Sequence, residues 1–126
     1  VYSLNDEGNL ADAIGLCALA ALKDAKFPKY DEKTGKIVYE ERTSKGLNLK
    51  ELPVPVTIIK VKDKMLVDPT LEEELCLSAR LTVTTLEDGR VCALQKGGTE
   101  ALTSEEIEKM VELGIKKSKE YRKFLK

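Results

Sequence analysis

Asp68, Glu72, Glu73 and Glu74 crowd into the stretch VDPTLEEELCLSARLTV, which runs from Val67 to Val83 and stops being acidic at Arg80. Carboxylates at this density can hold a magnesium ion or move a proton. A magnesium site needs only one or two carboxylates plus substrate phosphates, so the segment admits a metal-dependent hydrolytic nuclease. It also admits a plainer reading. Thr70 can cap a short helix whose first turn carries the glutamates, where the helix dipole favours them. Contacts to a partner chain are a third use for the same charges.

Other residues able to do chemistry are few. The chain has no histidine, which removes Ser-His and Cys-His nucleophilic machinery and every His-ligated metal site. Cys17, Cys76 and Cys92 are odd in number, show no C-x-x-C spacing and sit among apolar neighbours. They read as small buried side chains in a reducing compartment. Gly97-Gly98-Thr99 lacks the G-x-x-x-x-G-K-[ST] frame of a phosphate loop and reads as a strand-to-helix linker. The tail KKSKEYRKFLK, Lys116 to Lys126, could touch RNA phosphates but reads as a solvated helix face, with Tyr121 and Phe124 as packing residues. Twenty-one Lys and Arg against 22 Asp and Glu give a net charge of −1, which argues against a dedicated basic nucleic-acid surface.

These residues must be positioned by a chain of 126 residues, the length of one ordinary domain. A hydrophobic fraction of 42% supports a core. The charged fraction of 34% exceeds the roughly 25% of an average protein, and Lys and Glu enrichment of this kind is a feature of proteins from hot environments. The longest apolar run, Ala13 to Leu22, is about half of the roughly 20 residues a bilayer requires. With no signal peptide visible, a cytoplasmic protein without a membrane partner is expected.

Val1 to Leu4 reads as the end of a strand, with no turn or cap ahead of it, so the chain is expected to begin partway through a fold. Asn9 is a favoured N-cap, with Asp12 in the reciprocal position of a capping box. The helix that follows, AIGLCALAAL, is apolar nearly all round and is expected to be buried on every side. Part of its cover would come from outside the chain, and the piece alone is expected to be poorly stable. Pro28 is expected to stop this helix. Asp31 to Lys36 is a turn with Gly35, followed by a short strand around Ile37 to Tyr39 and a loop over Ser44 to Lys50. Pro53 and Pro55 place the strand VTIIKV at a sheet edge or where the chain enters the sheet. Met65 to Val67 is a strand ending at Asp68-Pro69. Arg80 to Leu86 alternates as a strand, Asp88-Gly89 makes a hairpin turn, and Val91 to Leu94 returns before Gly97-Gly98 breaks the strand. Thr103 and Glu106 form a capping box for a helix running to the C-terminus, acidic at its start and basic at its end. The order predicts an α+β fold with a mostly antiparallel sheet.

Taken together these residues resemble the RNase PH family over essentially the whole chain, beginning partway through that family's fold. LNDEGNLADAIGLCALAAL resembles the helix that leads from the family's first domain toward its second. PVPVTIIKV and LVDPTLEEELCLSARLTV resemble the second-domain strands with their acidic segment. GRVCALQKGGTEALTSEEIEKMVELGI resembles the final hairpin and helix. VDPTLEEE with ARLTV looks most like the non-catalytic RNase PH-like subunit of the archaeal exosome. The resemblance implies that residues 1–30 end a first domain, 31–52 connect, and 53–126 form the second domain, a mixed or antiparallel sheet packed by helices.

The resemblance also gives the acidic segment a meaning. Active family members carry an Asp six residues after the last acid, as general acid or metal support for phosphorolysis. Here the last acid is Glu74, and six residues on stands Arg80. Its guanidinium can neither release a proton near neutral pH nor hold a cation. Active members also open the first helix with a Gly-Thr/Ser-Arg triplet that binds the attacking phosphate. The matching residues here are Gly8, Asn9 and Leu10, so an aliphatic chain stands where the phosphate-gripping fork would be. The resemblance therefore implies a chain with no catalytic residues and no metal or cofactor of its own. It implies a hexameric ring of three heterodimers with an active RNase PH-like subunit, which degrades RNA from the 3′ end with inorganic phosphate and could use Mg²⁺. RNA-binding cap subunits are implied as further partners. Arg80 and Arg90 are the candidate RNA contacts.

Overall fold

The alternation of RLTVTT sets the middle of the main sheet. The computed structural model describes residues 1–125. In it, β5 (Ala79–Thr85) buries Ala79, Leu81, Val83 and Thr85 on one face and turns Arg80, Thr82 and Thr84 to the other. A turn through Gly89 leads into β6 (Val91–Gly98). On its other side β5 pairs with β3 (Val54–Val61), and β4 (Lys64–Val67) closes the order β4-β3-β5-β6. Helix α3 (Ser104–Tyr121) covers one face, where Met110 packs with Val56, Ile58, Leu81 and Val83. Its capping box is present: Thr103 Oγ1 accepts from the Glu106 N–H at 3.2 Å, and Glu106 Oε2 accepts from the Thr103 N–H at 2.8 Å. The ladders among the described residues are antiparallel, as the α+β expectation has it.

Of the two placements the prolines allow for β3, the sheet edge fails and the entry of the chain into the sheet holds. β3 is the second strand of four, hydrogen-bonded on both sides, not an edge strand. However, β4 pairs only with Ile58 to Val61, which leaves the first half of β3 open on that side. The Thr57 N–H points to this open side, and Pro55, two residues earlier, faces the same way. A donor missing there breaks no ladder bond.

Helix α1 (Leu10–Asp24) fills the gap. Asp12 is 1% exposed. Its Oδ2 accepts from the Thr57 N–H at 2.6 Å, and its Oδ1 accepts from Thr57 Oγ1 at 2.8 Å. Thr57 Oγ1 lies 2.9 Å from Thr82 Oγ1 across the ladder, and since its own proton goes to Asp12, Thr82 is the donor. A side-chain carboxylate thus completes the strand edge where backbone ends. Gly15 allows the close seat, since a Cβ there would meet the Pro55 ring at 2.6 Å.

Several expectations are corrected. Asp12 is the buried residue of α1, while Ile14 and Leu22 are 39% and 44% exposed. The described residues cover one side of the helix, so the all-round burial its composition calls for is not met within them. Val1 to Leu4 forms no strand, and its large side chains are exposed. Pro28 does not end α1, which stops at Asp24; it lies in β1 (Lys26–Asp31) between two register irregularities, where its missing donor is tolerated. β2 (Lys36–Gly46) runs longer than predicted and takes in Ser44 to Gly46. β1 and β2 form a separate two-stranded sheet. Gly97 and Gly98 end β6 instead of interrupting it, paired with Arg80 and Ala79. All three cysteines are exposed: Cys17 on the open side of α1, Cys76 at the end of α2 (Leu71–Leu75), Cys92 on the edge strand β6. After Tyr121 the chain tightens into a 3₁₀ turn, Arg122–Leu125, in which Phe124 is exposed and not packed. Arg122 is used internally, donating to the carbonyls of Leu52 and Thr85. Lys126, the end of the basic tail, lies outside the described residues. Among the described residues no helix is long and apolar enough to cross a membrane.

Asp12→Ala removes the acceptor for a buried N–H and is expected to destabilise the fold by roughly 1–3 kcal/mol. Chemical denaturation of the two proteins checks this; a change within a few tenths would mean that the edge bond contributes little.

Candidate functional site

The N-terminus of α1 and the acidic segment meet in space. Gly8 makes the approach possible. Its φ is +107°, and a Cβ there would lie 2.3 Å from the Pro69 carbonyl oxygen. Next to it the Leu71 N–H donates to the Glu7 carbonyl at 3.1 Å. Asn9 then bonds to both flanks of the acidic segment. Its backbone N–H donates to Glu74 Oε1 at 3.1 Å, and its side-chain Nδ2 donates to Asp68 Oδ1 at 3.0 Å. Asn9 and Asp68 both adopt left-handed backbone, with φ of 50° and 58°, a conformation Asn and Asp tolerate better than most residues.

Asn9 is at the predicted cap position but does not cap. It makes no side-chain bond to the helix, and Asp12, the expected reciprocal partner, is turned into the sheet. The left-handed conformation at Asn9 takes its side chain away from the geometry a cap requires. Its Oδ1 is left buried without a partner.

The acidic cluster is spent mostly on structure. Thr70 and Glu73 form a second capping box on α2: Thr70 Oγ1 accepts from the Glu73 N–H at 3.3 Å, and Glu73 Oε2 accepts from the Thr70 N–H at 2.9 Å. Glu74 and Asp68 hold Asn9, and Glu72 is exposed. The helix-cap reading of this segment is the one the structure follows. Among the described residues no three acidic or sulfur side chains converge as metal ligands. Of the four candidate carboxylates, Asp68, Glu73 and Glu74 are engaged by N–H donors within the chain.

Arg80 is exposed on the face of β5 opposite α3, level with Ile59 and Gly97. Its side chain lies over Gly97, where an added Cβ would come within 2.5 Å of Nε. No described carboxylate comes within 4.0 Å of its guanidinium. Leu10 is the half-buried first residue of α1. Arg90 is differently placed, at the hairpin turn beyond the far end of β5. Its Nε donates to Asp88 Oδ2 at 2.5 Å, with Glu51 at 3.9 Å. The hydrogen bonds from Arg90 hold the Asp88 carboxyl below its ordinary range and, with the Asp88 charge, raise the arginine. The two candidate arginines are thus not brought together, and only Arg80 is uncommitted.

Tyr121 was missed as part of this site, because in sequence it reads as one more apolar residue of α3. It lines a cleft with Asn9, Asp12 and Asp68. Burial, and then the charges of Asp68 and Asp12, push its phenol up to about 12.

Comparison with known proteins accords with this geometry. Residues 51–117 match the 3′ exoribonuclease family, domain 2. The chain is 45% identical to exosome complex component Rrp42 of Pyrococcus horikoshii, covering 99% of this chain and 46% of that protein. It is 38% identical to exosome complex component Rrp42 of Methanosarcina acetivorans, over 97% of this chain and 43% of that one. The chain thus spans about half the length of the curated relatives it matches. Among solved structures it is similar to a chain of the Archaeoglobus fulgidus exosome with RNA bound to the active site, at TM-score 0.81 and 36% identity, covering 98% of this chain and 46% of that one. An archaeal exosome core matches at TM-score 0.80 and 35% identity, over 98% and 47%.

The Tyr121 shift predicts a pH dependence. A phenol whose pKa is raised on folding contributes stability that is complete below its unfolded value, about 10, and is lost as pH rises through the folded value. Tyr121 is expected to ionise near pH 12, followed by phenolate absorbance against a Tyr121→Phe control. Asp68→Asn should move that midpoint down. A midpoint unmoved by Asp68→Asn would remove the Asp68 charge from the account.

Proposed function

The chain belongs to the RNase PH family of 3′ exoribonucleases, and from that premise we propose that it serves as a non-catalytic subunit of an archaeal exosome ring. The single observation that carries this reading is Arg80, which stands in the β5 position where active members place their acid. Leu10 supports it from the other side of the site, as an aliphatic residue where the phosphate anchor would be. The closed contact between Asn9, Glu74 and Asp68 adds to both, since the chain's own carboxylate takes the helix-terminal N–H that an anion would use. The frame of the site persists while its chemistry is gone.

In this reading the protein pairs with an active RNase PH-like subunit. Three such pairs make a hexamer, and RNA-binding cap subunits join it. The active partner cleaves RNA from the 3′ end with inorganic phosphate, releasing nucleoside diphosphates, and any Mg²⁺ is used there. This chain shapes the partner's cleft and lends part of the RNA path, in the cytoplasm. Arg80 is the RNA contact that fits best, being exposed and free of a carboxylate partner among the described residues. Net charge −1 suits a chain that holds RNA only within an assembly.

RNA decay by the full-length protein, alone and mixed with an active RNase PH-like subunit from the same source, tests this with and without phosphate. No decay alone and phosphate-dependent decay in the mixture are expected. Decay by the protein alone would overturn the reading. Arg80→Asp should not confer activity, because Leu10 still offers no phosphate grip. Arg80→Ala should weaken RNA binding by the mixed complex and lower its salt slope by about 1; an unchanged slope would remove Arg80 from the RNA path.

A further inference from the structure

The cleft beside Asn9 is rich in acceptors, and the Tyr121 hydroxyl is a neutral donor in its lining. It encloses about 180 Å³ between the start of α1, the turn after β4 and the end of α3. Asn9 is 5% exposed, and its Oδ1 is buried without a hydrogen-bond partner. The orientation of that amide is fixed. Asp68 only accepts hydrogen bonds when ionised, so the atom facing it must be Nδ2, and the oxygen must face elsewhere.

The charges around the cleft tell the same story. Asp12 and Asp68 line it, and Glu74 lies against the Asn9 backbone. Among the described residues no lysine or arginine comes within 4.0 Å of any of the three. Asp12 is satisfied by the neutral donors of Thr57, while Asp68 is exposed and keeps acceptor capacity. The rest of the lining is apolar: the ring of Tyr121, the side chain of Leu16, and Phe124, which is 77% exposed. A water could meet the Asn9 oxygen, but it would leave the negative charge uncompensated.

We propose that this cleft receives the guanidinium group of an arginine side chain presented by another polypeptide of the assembly, bridging Asn9 Oδ1 and the Asp68 carboxylate with its flat face on Tyr121 and Phe124. Arginine fits better than lysine for two reasons. Its rigid fork can donate to two acceptors at once, and its plane stacks on aromatic rings. The phenol of Tyr121, raised first by burial and then by the charges of Asp68 and Asp12, agrees. The chemistry of the cleft does not depend on the chain being non-catalytic; only the source of the arginine rests on the ring reading.

The test is an NMR titration of the full-length chain with N-acetyl-arginine methylamide. Its neutral isostere, the citrulline derivative, and spermidine serve as comparisons. The arginine compound is expected to shift the Asn9 side-chain amide and the Tyr121 ring signals saturably, with the citrulline derivative several-fold weaker. Asp68→Asn keeps a residue type that tolerates left-handed backbone and should weaken binding about fivefold. Phe124→Ala, at an exposed position, should weaken it about two- to fivefold without altering the melting temperature. Four results would each overturn the proposal: no saturable shift, equal binding of the citrulline derivative, tighter binding of spermidine, or full affinity in both variants. None of them bears on the RNA decay assay, so the two readings fail separately.

Discussion

One buried carboxylate holds the functional end of this molecule in place. β4 is too short to cover the first half of β3, and the buried N–H of Thr57 that it leaves unpaired must find an acceptor. Asp12 supplies it from the first turn of α1, and its second oxygen takes the Thr57 hydroxyl proton. The bond fixes where α1 begins relative to the sheet. One turn earlier the chain must pass the corner after β4, through Gly8, and this brings Asn9 between Asp68 and Glu74. The geometry of the site is thus a consequence of a strand edge that backbone alone cannot complete.

The acidic segment is engaged mostly in hydrogen bonds within the chain. Glu73 is taken up by a helix cap, and Glu74 and Asp68 are taken up by Asn9. Glu73 and Glu74 do what carboxylates do well near helix starts, accepting from backbone N–H groups that have no helical partner, while Asp68 accepts from the Asn9 side-chain amide. Arg80, on β5, is exposed and adds positive charge beyond this segment.

Much of the fold was legible because its signals are local. Thr70 with Glu73 and Thr103 with Glu106 mark helix starts through contacts three residues apart, and the Thr-Val alternation of β5 marks a half-buried strand. The failures share a different cause. Pro55 suggested an edge strand, but whether a missing donor matters depends on how far β4 extends, which no residue near Pro55 records. Asn9 and Asp12 looked like a capping pair, yet each is claimed by a partner more than 40 residues away. The cysteines were read as buried because their neighbours are apolar, although burial depends on what surrounds each element. Arg80 and Leu10 gained meaning only through the family resemblance, since neither stands out by composition or spacing.

In the proposed reading the carboxylates beside Asn9 position the chain and take no part in cleaving RNA. The most direct measurement is the rate of phosphate-dependent RNA decay by the mixed complex when this subunit carries Asp68→Asn and Glu74→Gln together. Both replacements keep an acceptor oxygen for Asn9 and remove the charge and the ability to act as a base. A rate within about threefold of the unsubstituted complex is expected. A loss of roughly 10²-fold or more, the range typical of a removed general acid or base, would contradict it.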